Sequence, residues 1–280
     1  MNTQSDDALE QNRLWNGPAG QAWIAAQEAL DRMFEPFEKR LVDEVVAASK
    51  RHVLDIGCGT GATTLAVARH LGTNGSAAGL DISEPMLATA RERAQRDNVP
   101  ATFISADAQT HTFEAASFDM IISRFGVMFF DDPVRAFANL RRAVTGDAEL
   151  RAIAWRGPAD NPFMTTAERA AAPLLPSMPP RRPDAPGQFA FADAGRVRRI
   201  LKEAGWTGID LQPLDVECTL PVKALHLYVT RLGPVGMMLQ SADEATRTQV
   251  TETVLDAFKP YVRGADVRFT AACWMVSARS

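Results

Sequence analysis

The 280-residue sequence predicts a doubly wound α/β fold, and three observations carry that prediction. From Arg51 onward apolar runs recur without polar alternation, helical patterns separate them, and a glycine-rich turn, "DIGCGTG" (55–61), joins the first run to the first helix. Strands that do not alternate are buried on both faces, and strands interleaved with helices pair in parallel through crossovers. The length allows one or two domains with a substantial core.

Residues 1–50 read as a helical cap, with "GQAWIAAQEALDRMFEPFEKRLVDEVVAA" placed before the sheet begins. Residues 51–155 form the first part of the core. "RHVLDIG" is its first strand; "ATTLAVARHLG" keeps Leu65, Ala66, Ala68 and Leu71 on one helical face, and Gly72 ends that helix. "SAAGLDIS" is the second strand, followed by "EPMLATARERAQRD" with Ser83 as N-cap and Pro85 in the first turn. "ATFISAD" and "FDMIISRF" are the third and fourth strands, "DPVRAFANLRRAV" a helix and "ELRAIAW" the fifth strand.

Residues 156–188 are too rich in proline to form one continuous element, although a short helix fits near 165–172. A loop of this length after the fifth strand reads as a lid insertion. Residues 189–280 complete the core: Asp193 caps "AGRVRRILKEAG" and Gly205 closes it. "GIDLQPLDVECTL" is a strand whose Pro213 signals a bulge or an edge. Two helical patterns, 224–239 and 242–261, make 221–263 a substrate-side helical segment, and "DVRFTAACWMVSA" closes the chain as an alternating strand.

Lysine and arginine number 30 against 34 acids, a net charge of −4. That balance offers no basic footprint for nucleic acid and no polybasic membrane patch. No apolar run is long enough to span a bilayer, and "MNTQSDDALEQNR" lacks the features of a secretion signal. Cys58, Cys218 and Cys273 are too scattered for a disulfide framework or a Cys-x-x-Cys metal site. The expectation is a soluble cytoplasmic protein acting on a small molecule, without nucleic acid, membrane insertion or metal.

Gly57, Gly59 and Ala62 fit the dinucleotide pattern G-x-G-x-x-A, and Cys58 and Gly61 lie in the same turn, which brings backbone N–H groups against a ligand. Asp55 separates the ligands that such a turn can hold. A carboxylate two residues before Gly57 repels a pyrophosphate and suits a ligand carrying an ammonium group. The methionine end of S-adenosylmethionine has that ammonium, and a carboxylate for the helix N-terminus. Asp81, ending the second strand, suits both ribose hydroxyls, with Ile82 on the adenine face. Asp107, ending the third, suits the adenine amino group, with the Ala108 N–H on a ring nitrogen. A nicotinamide-dependent oxidoreductase shares the glycine pattern, and a non-catalytic donor-binding module would share all three acids.

"VLDIGCGTG", "GLDIS", "ISADA" and "FDMIISRFGVMFFDDP" resemble the motifs of class I S-adenosylmethionine-dependent methyltransferases, in the branch of the ubiquinone and menaquinone C-methyltransferases. The resemblance implies a Rossmann-like seven-stranded sheet with an antiparallel last strand. It also implies N-terminal helices over the donor, which makes Trp15, Trp23 and Met33 lining candidates, with Ser123 at the end of the fourth strand. The family's Pro-Gly-Gly turn before the fifth strand is replaced here by "VTGDAEL".

Methyl transfer draws much of its rate from positioning, and needs a base only where the acceptor must lose a proton. The absence of Asn/Asp-Pro-Pro-Tyr/Phe after the fourth strand points away from nucleic-acid acceptors, and Ser123 stands where metal-dependent catechol enzymes carry an Asp. Phe125 and Met128 are expected to wall a hydrophobic or aromatic acceptor, Trp155 to form its floor, and Asn161, Phe163 and Met164 to be the inner contacts of the lid. Arg124 is the candidate for orienting an anionic or phenolic oxygen. His226 and Tyr228, in "ALHLYVTRL", are the base candidates; the other histidines lie away from the expected methyl position.

Overall fold

In a computed structural model, residues 6–182 and 185–280 are described; positions 1–5 of the expected cap and 183–184 of the expected lid lie outside the described residues. Three helices come first: α1 (Asp6–Asn16), α2 (Pro18–Ala25) and α3 (Gln27–Ala47). The alternation then runs β1 (His52–Ile56), α4 (Ala62–Leu71), β2 (Ser76–Asp81), α5 (Glu84–Arg96), β3 (Ala101–Ser105), β4 (Phe118–Arg124), α6 (Pro133–Ala143) and β5 (Val144–Trp155). The remainder comprises α7 (Thr166–Ala171), α8 (Ala194–Glu203), β6 (Thr207–Pro221), α9 (Val222–Arg231), α10 (Gly233–Leu239), α11 (Glu244–Ala257), β7 (Val262–Arg263) and β8 (Asp266–Arg279).

The sheet order is β3-β2-β1-β4-β5-β8-β6, and the two-residue β7 pairs with β8. Strands β1 to β5 pair in parallel, while β8 runs antiparallel to both β5 and β6. This is the expected seven-strand path with its antiparallel last strand, extended by one short hairpin partner. The order reverses between β1 and β4, the crevice where open α/β sheets bind ligands. The central strands carry the buried Val53, Leu54, Ile56, Met120, Ile121, Ile122, Leu150 and Ile153. Helix α3 buries Leu30, Met33, Phe34, Phe37, Leu41 and Val45, a stripe at helical spacing. Helix caps follow the sequence: Ser83, Asp132, Asp193 and Asp243 each accept a bond from a backbone N–H in the first turn of α5, α6, α8 and α11. No helix among the described residues is long and apolar enough to cross a membrane.

Three local expectations are revised. The helical pattern at 224–239 breaks into α9 and α10, because Pro234 cannot continue the preceding helix and Gly233 takes a positive φ of 67°. The second pattern is helical only to Ala257, and Pro260 lies in a short 3-10 turn beyond it. "VTGDAEL" is no turn: β5 starts at Val144 and absorbs the extra residues where its pairing with β4 shifts from Phe118–Val144 to Met120–Glu149. Pro213 lies on β6, an edge strand.

Asn161 is not an inner contact of the site. Its side chain is buried, donates to the Ala272 carbonyl (2.9 Å) and the Gly157 carbonyl (3.1 Å), and accepts from the Ala272 N–H (2.9 Å). It therefore pins the chain leaving β5 to strand β8. Replacing it by alanine leaves the buried Ala272 donor unpaired, so Asn161→Ala is expected to lower unfolding stability by about 1–3 kcal/mol in denaturant titration. An unchanged midpoint would show that the pin carries no stability.

Candidate functional site

At the C-terminal ends of β1 to β5 lies a cavity of about 700 Å³. On its wall two loops meet backbone to backbone. A Cβ at Gly57 would stand 2.5 Å from the Gly126 Cα, and one at Gly126 would stand 2.5 Å from the Ile56 carbonyl oxygen. Gly57 also takes a positive φ of 67°, open to glycine at little cost. Ser123 locks the junction: its hydroxyl donates to the Ile56 carbonyl (2.7 Å) and accepts from the Gly126 N–H (3.2 Å). Ser123 is fully buried in this role and does not line the cavity.

Along one wall, Asp81 is only 7% exposed and faces the cavity with Ile82 beside it. Its carboxylate accepts from the Gly59 N–H (2.8 Å) and the Ser83 N–H (2.9 Å). Burial pushes its pKa up, and these backbone bonds oppose the rise. Asp107 and Ala108 line the adjoining wall. Asp107 accepts from the Gln109 N–H (2.8 Å), and Asn139 donates to the Ala108 and His111 carbonyls, both at 2.8 Å, pinning that loop.

The helical cap is fastened to the second strand's end. Asn16 donates to the Ile82 carbonyl (2.9 Å) and accepts from the Glu84 N–H (3.0 Å), while the Ser83 hydroxyl donates to the Trp15 carbonyl (2.6 Å). This places Trp15 and Trp23 on the cavity wall, with Trp15 edge-on to Phe129 at 5.0 Å; Met33 joins them there. Opposite, Phe125 stacks on Trp155 at 4.6 Å and 13°, with Phe34 and Phe37 edge-on. Phe125 holds a φ of +65°, a conformation that costs a non-glycine residue about 1–3 kcal/mol. Arg124 lies 5.8 Å over the Phe34 ring and donates one long hydrogen bond, 3.5 Å, to the Phe34 carbonyl. It also borders a cleft of about 40 Å³ between the glycine turn and α3, shared with Asp31, Gln27, Gly57, Cys58 and Gly59.

The far end of the main cavity is apolar. Met128, Trp155, Phe163, Met164 and Tyr228 line it, together with Leu232, Val235, Met238 and Phe258, which the sequence did not single out. Glu168 and Arg181 also line it and pair with each other, at 2.8 Å between Nε and Oε2.

Several expected site residues have other places. Asp55 does not reach the cavity: it is 2% exposed and accepts from the Thr64 hydroxyl at 2.7 Å, beneath the glycine turn. Cys58 is buried and borders only the small cleft, and Gly61 caps α4 at φ +83° against Ala90 and Phe103. His226 is exposed on α9 and absent from the cavity wall, so it cannot reach a substrate there. Burial pushes the Tyr228 phenol up, which holds its proton and works against a role as base. Gly126, Asn16 and Asn139 were missed. A glycine two residues after β4 was a visible signal; the two asparagines have none, since their partners are distant backbone groups.

A sequence-family profile described as a methyltransferase domain matches residues 53–147, from β1 into β5. Over this stretch the chain is similar to S-adenosylmethionine-dependent methyltransferase domains. Aklanonic acid methyltransferase DauC of Streptomyces sp. (strain C5) is 36% identical over 124 residues, 42% of this chain and 56% of that protein. Nocamycin O-methyltransferase of Saccharothrix syringae is 28% identical over 200 residues, 67% and 70% of the two chains. Demethylmenaquinone methyltransferase of Lactiplantibacillus plantarum is 31% identical over 116 residues, 41% and 49%. The chain thus spans about half the length of the first and third of these relatives. Among solved structures, the YcgJ protein of Bacillus subtilis shares the fold at TM-score 0.56 and 18% identity, over 87% of this chain and 97% of that one. A structure concerned with conversion of a disulfide into a thioacetal during echinomycin biosynthesis shares it at TM-score 0.54 and 21% identity, over 85% and 80%.

Within the matched stretch, burial raises the Asp55 pKa to about 7, against the Thr64 hydrogen bond and the Arg124 charge, which lower it. Between about pH 4 and 7 the folded chain therefore keeps a proton that the unfolded chain has released, and stability falls as pH rises through that window. Compared with Asp55→Asn, the ligand-free wild type is expected to lose about 2–3 kcal/mol of unfolding free energy between pH 5 and pH 8. Urea titrations at both pH values check this; a pH-independent gap between the two chains contradicts it.

Proposed function

We propose that this protein transfers a methyl group from S-adenosylmethionine to a small hydrophobic or aromatic acceptor by in-line displacement. The observation that carries this reading is a single cavity with chemically different ends: acids at successive strand ends on one side, and an apolar chamber beneath α9, α10 and α11 on the other. The residues present fit the donor. Backbone N–H groups use only part of the acceptor capacity of the Asp81 carboxylate, leaving lone pairs for two ribose hydroxyls. Asp107 and Ala108 suit the adenine edge, and Ile82 its face. With Asp55 withdrawn beneath the turn, Arg124 in the small cleft offers a charge for the ligand's carboxylate, and Asp31, ion-paired with Arg93 at 2.6 Å, lines the same cleft with its second carboxylate oxygen left for an ammonium group.

Bound there, S-adenosylmethionine supplies an electrophilic methyl group on a sulfonium whose displacement leaves a neutral thioether. The chain's own residues bind, orient and exclude water. The Phe125–Trp155 stack forms part of the cavity wall, and Trp15 and Trp23 close the donor side. Residues 156–182 and 185–188 serve as the lid: Phe163, Met164 and Arg181 line the chamber, and the Gly187 N–H bonds the Met128 carbonyl at 3.0 Å. The near-balanced charge favours a small-molecule acceptor over nucleic acid, and the three free, buried cysteines fit a reducing cytoplasm.

Calorimetric titration with S-adenosylmethionine, S-adenosylhomocysteine and NAD tests the reading. The two sulfur ligands are expected to bind, and Asp81→Ala is expected to weaken them by about 1.5–3 kcal/mol, roughly ten- to 150-fold. NAD binding alone would turn the reading to an oxidoreductase; unchanged affinity in the variant would remove Asp81 from the ribose. Donor binding without label transfer to a broad panel of phenols, quinols, amines and thiols would favour a non-catalytic module.

A further inference from the structure

The chamber under α9 to α11 contains a polar hydrogen without a strong partner. Tyr228 lies on the inner side of α9, with its ring 5.9 Å from Phe163 and 6.3 Å from Phe258. Its hydroxyl meets the Met164 thioether at 3.5 Å, and no oxygen or nitrogen partner is found for it among the described residues. Thioether sulfur is a weak acceptor, whereas buried tyrosine hydroxyls ordinarily find a full hydrogen bond. On the same cavity wall Met164, Ala167, Val229, Leu232, Met238 and Phe258 are apolar and can supply none, and Arg231 has no acceptor on its side chain. The Glu168 carboxylate is held by Arg181, and the Thr166 hydroxyl is spent on the Pro162 carbonyl at 2.8 Å and on Tyr261.

From this geometry we infer that Tyr228 is the specificity group of the acceptor site, donating its phenolic hydrogen to an oxygen on an otherwise apolar, aromatic-sized molecule. The inference rests on the proposed methyl-transfer reading for what then happens to that molecule, but not for the binding itself. Apolar pockets fix orientation through a few placed polar groups, and a group left unpaired without the ligand's oxygen discriminates against analogues lacking it. The protonated phenol is the partner such an oxygen requires, whether carbonyl, phenol or phenolate. The acceptor class is therefore an oxygenated aromatic, with its oxygen directed toward α9.

The test uses the full chain and two shape-matched probes, 1-naphthol and 1-methylnaphthalene, titrated by fluorescence with and without saturating S-adenosylhomocysteine. Wild type is expected to bind 1-naphthol roughly tenfold more tightly than 1-methylnaphthalene. In Tyr228→Phe the preference should collapse to near one, with 1-methylnaphthalene affinity retained, a pattern that general loss of packing would not produce. A wild-type ratio near one, or a preference that survives in the variant, overturns the assignment. Failure of S-adenosylhomocysteine to bind strikes the donor reading instead and leaves the probe ratio to decide Tyr228.

Discussion

The close backbone approach between the turn after β1 and the turn after β4 organises the rest of the site. Ile56 and Gly57 meet Gly126 with no room for a side chain on either turn. The glycines let the two turns close on each other at the switch point. The same contact fixes the course of the chain beyond β4. Ser123 turns inward to hold both loops, Arg124 reaches the cavity wall, and Phe125 takes a left-handed conformation that lays its ring on Trp155. A residue held in a strained conformation by such packing is a familiar sign of a working site.

Around that junction, the molecule separates polar recognition from apolar enclosure. The parallel strands end in carboxylates whose orientation is set by backbone N–H groups rather than by cations, leaving them able to accept further bonds. The antiparallel end of the sheet instead supports a helical roof of leucine, valine, methionine and phenylalanine. The N-terminal helices join the two parts. Their only sequence-local task is to form amphipathic surface, yet Asn16 and Ser83 dock them over the second strand's end. Enclosure of this side of the cavity is thus built by hydrogen bonds between elements that are far apart in the chain.

Periodicity made the fold legible: unalternating strands, Gly72 and Gly205 at helix ends, and Ser83, Asp132 and Asp193 at helix starts all stand where the sequence places them. A place on the cavity wall was legible for Asp81, which ends β2, and for Asp107, two residues past the end of β3. The same reading failed for Asp55, one residue before the strand's end, where Thr64 captures the carboxylate from the neighbouring helix. It failed again for Asn161 and His226. An amide in a proline-rich loop looks the same whether it meets ligand or backbone, and helical phase alone did not show which side of α9 the roof would bury. Tyr228, two residues from His226, faces the chamber while the histidine faces outward.

The central claim is that one cavity divides into a donor half at the strand ends and an acceptor half under α9 to α11, with the Phe125–Trp155 stack on its wall. A crystal structure with S-adenosylhomocysteine measures this directly. The account predicts the ribose on Asp81, adenine between Ile82 and Ala108, the amino-acid end toward Asp31 and Arg124, and the sulfur directed past Phe125 toward Tyr228. Density for the ligand in the apolar chamber, or with its sulfur turned away from Tyr228, would contradict it.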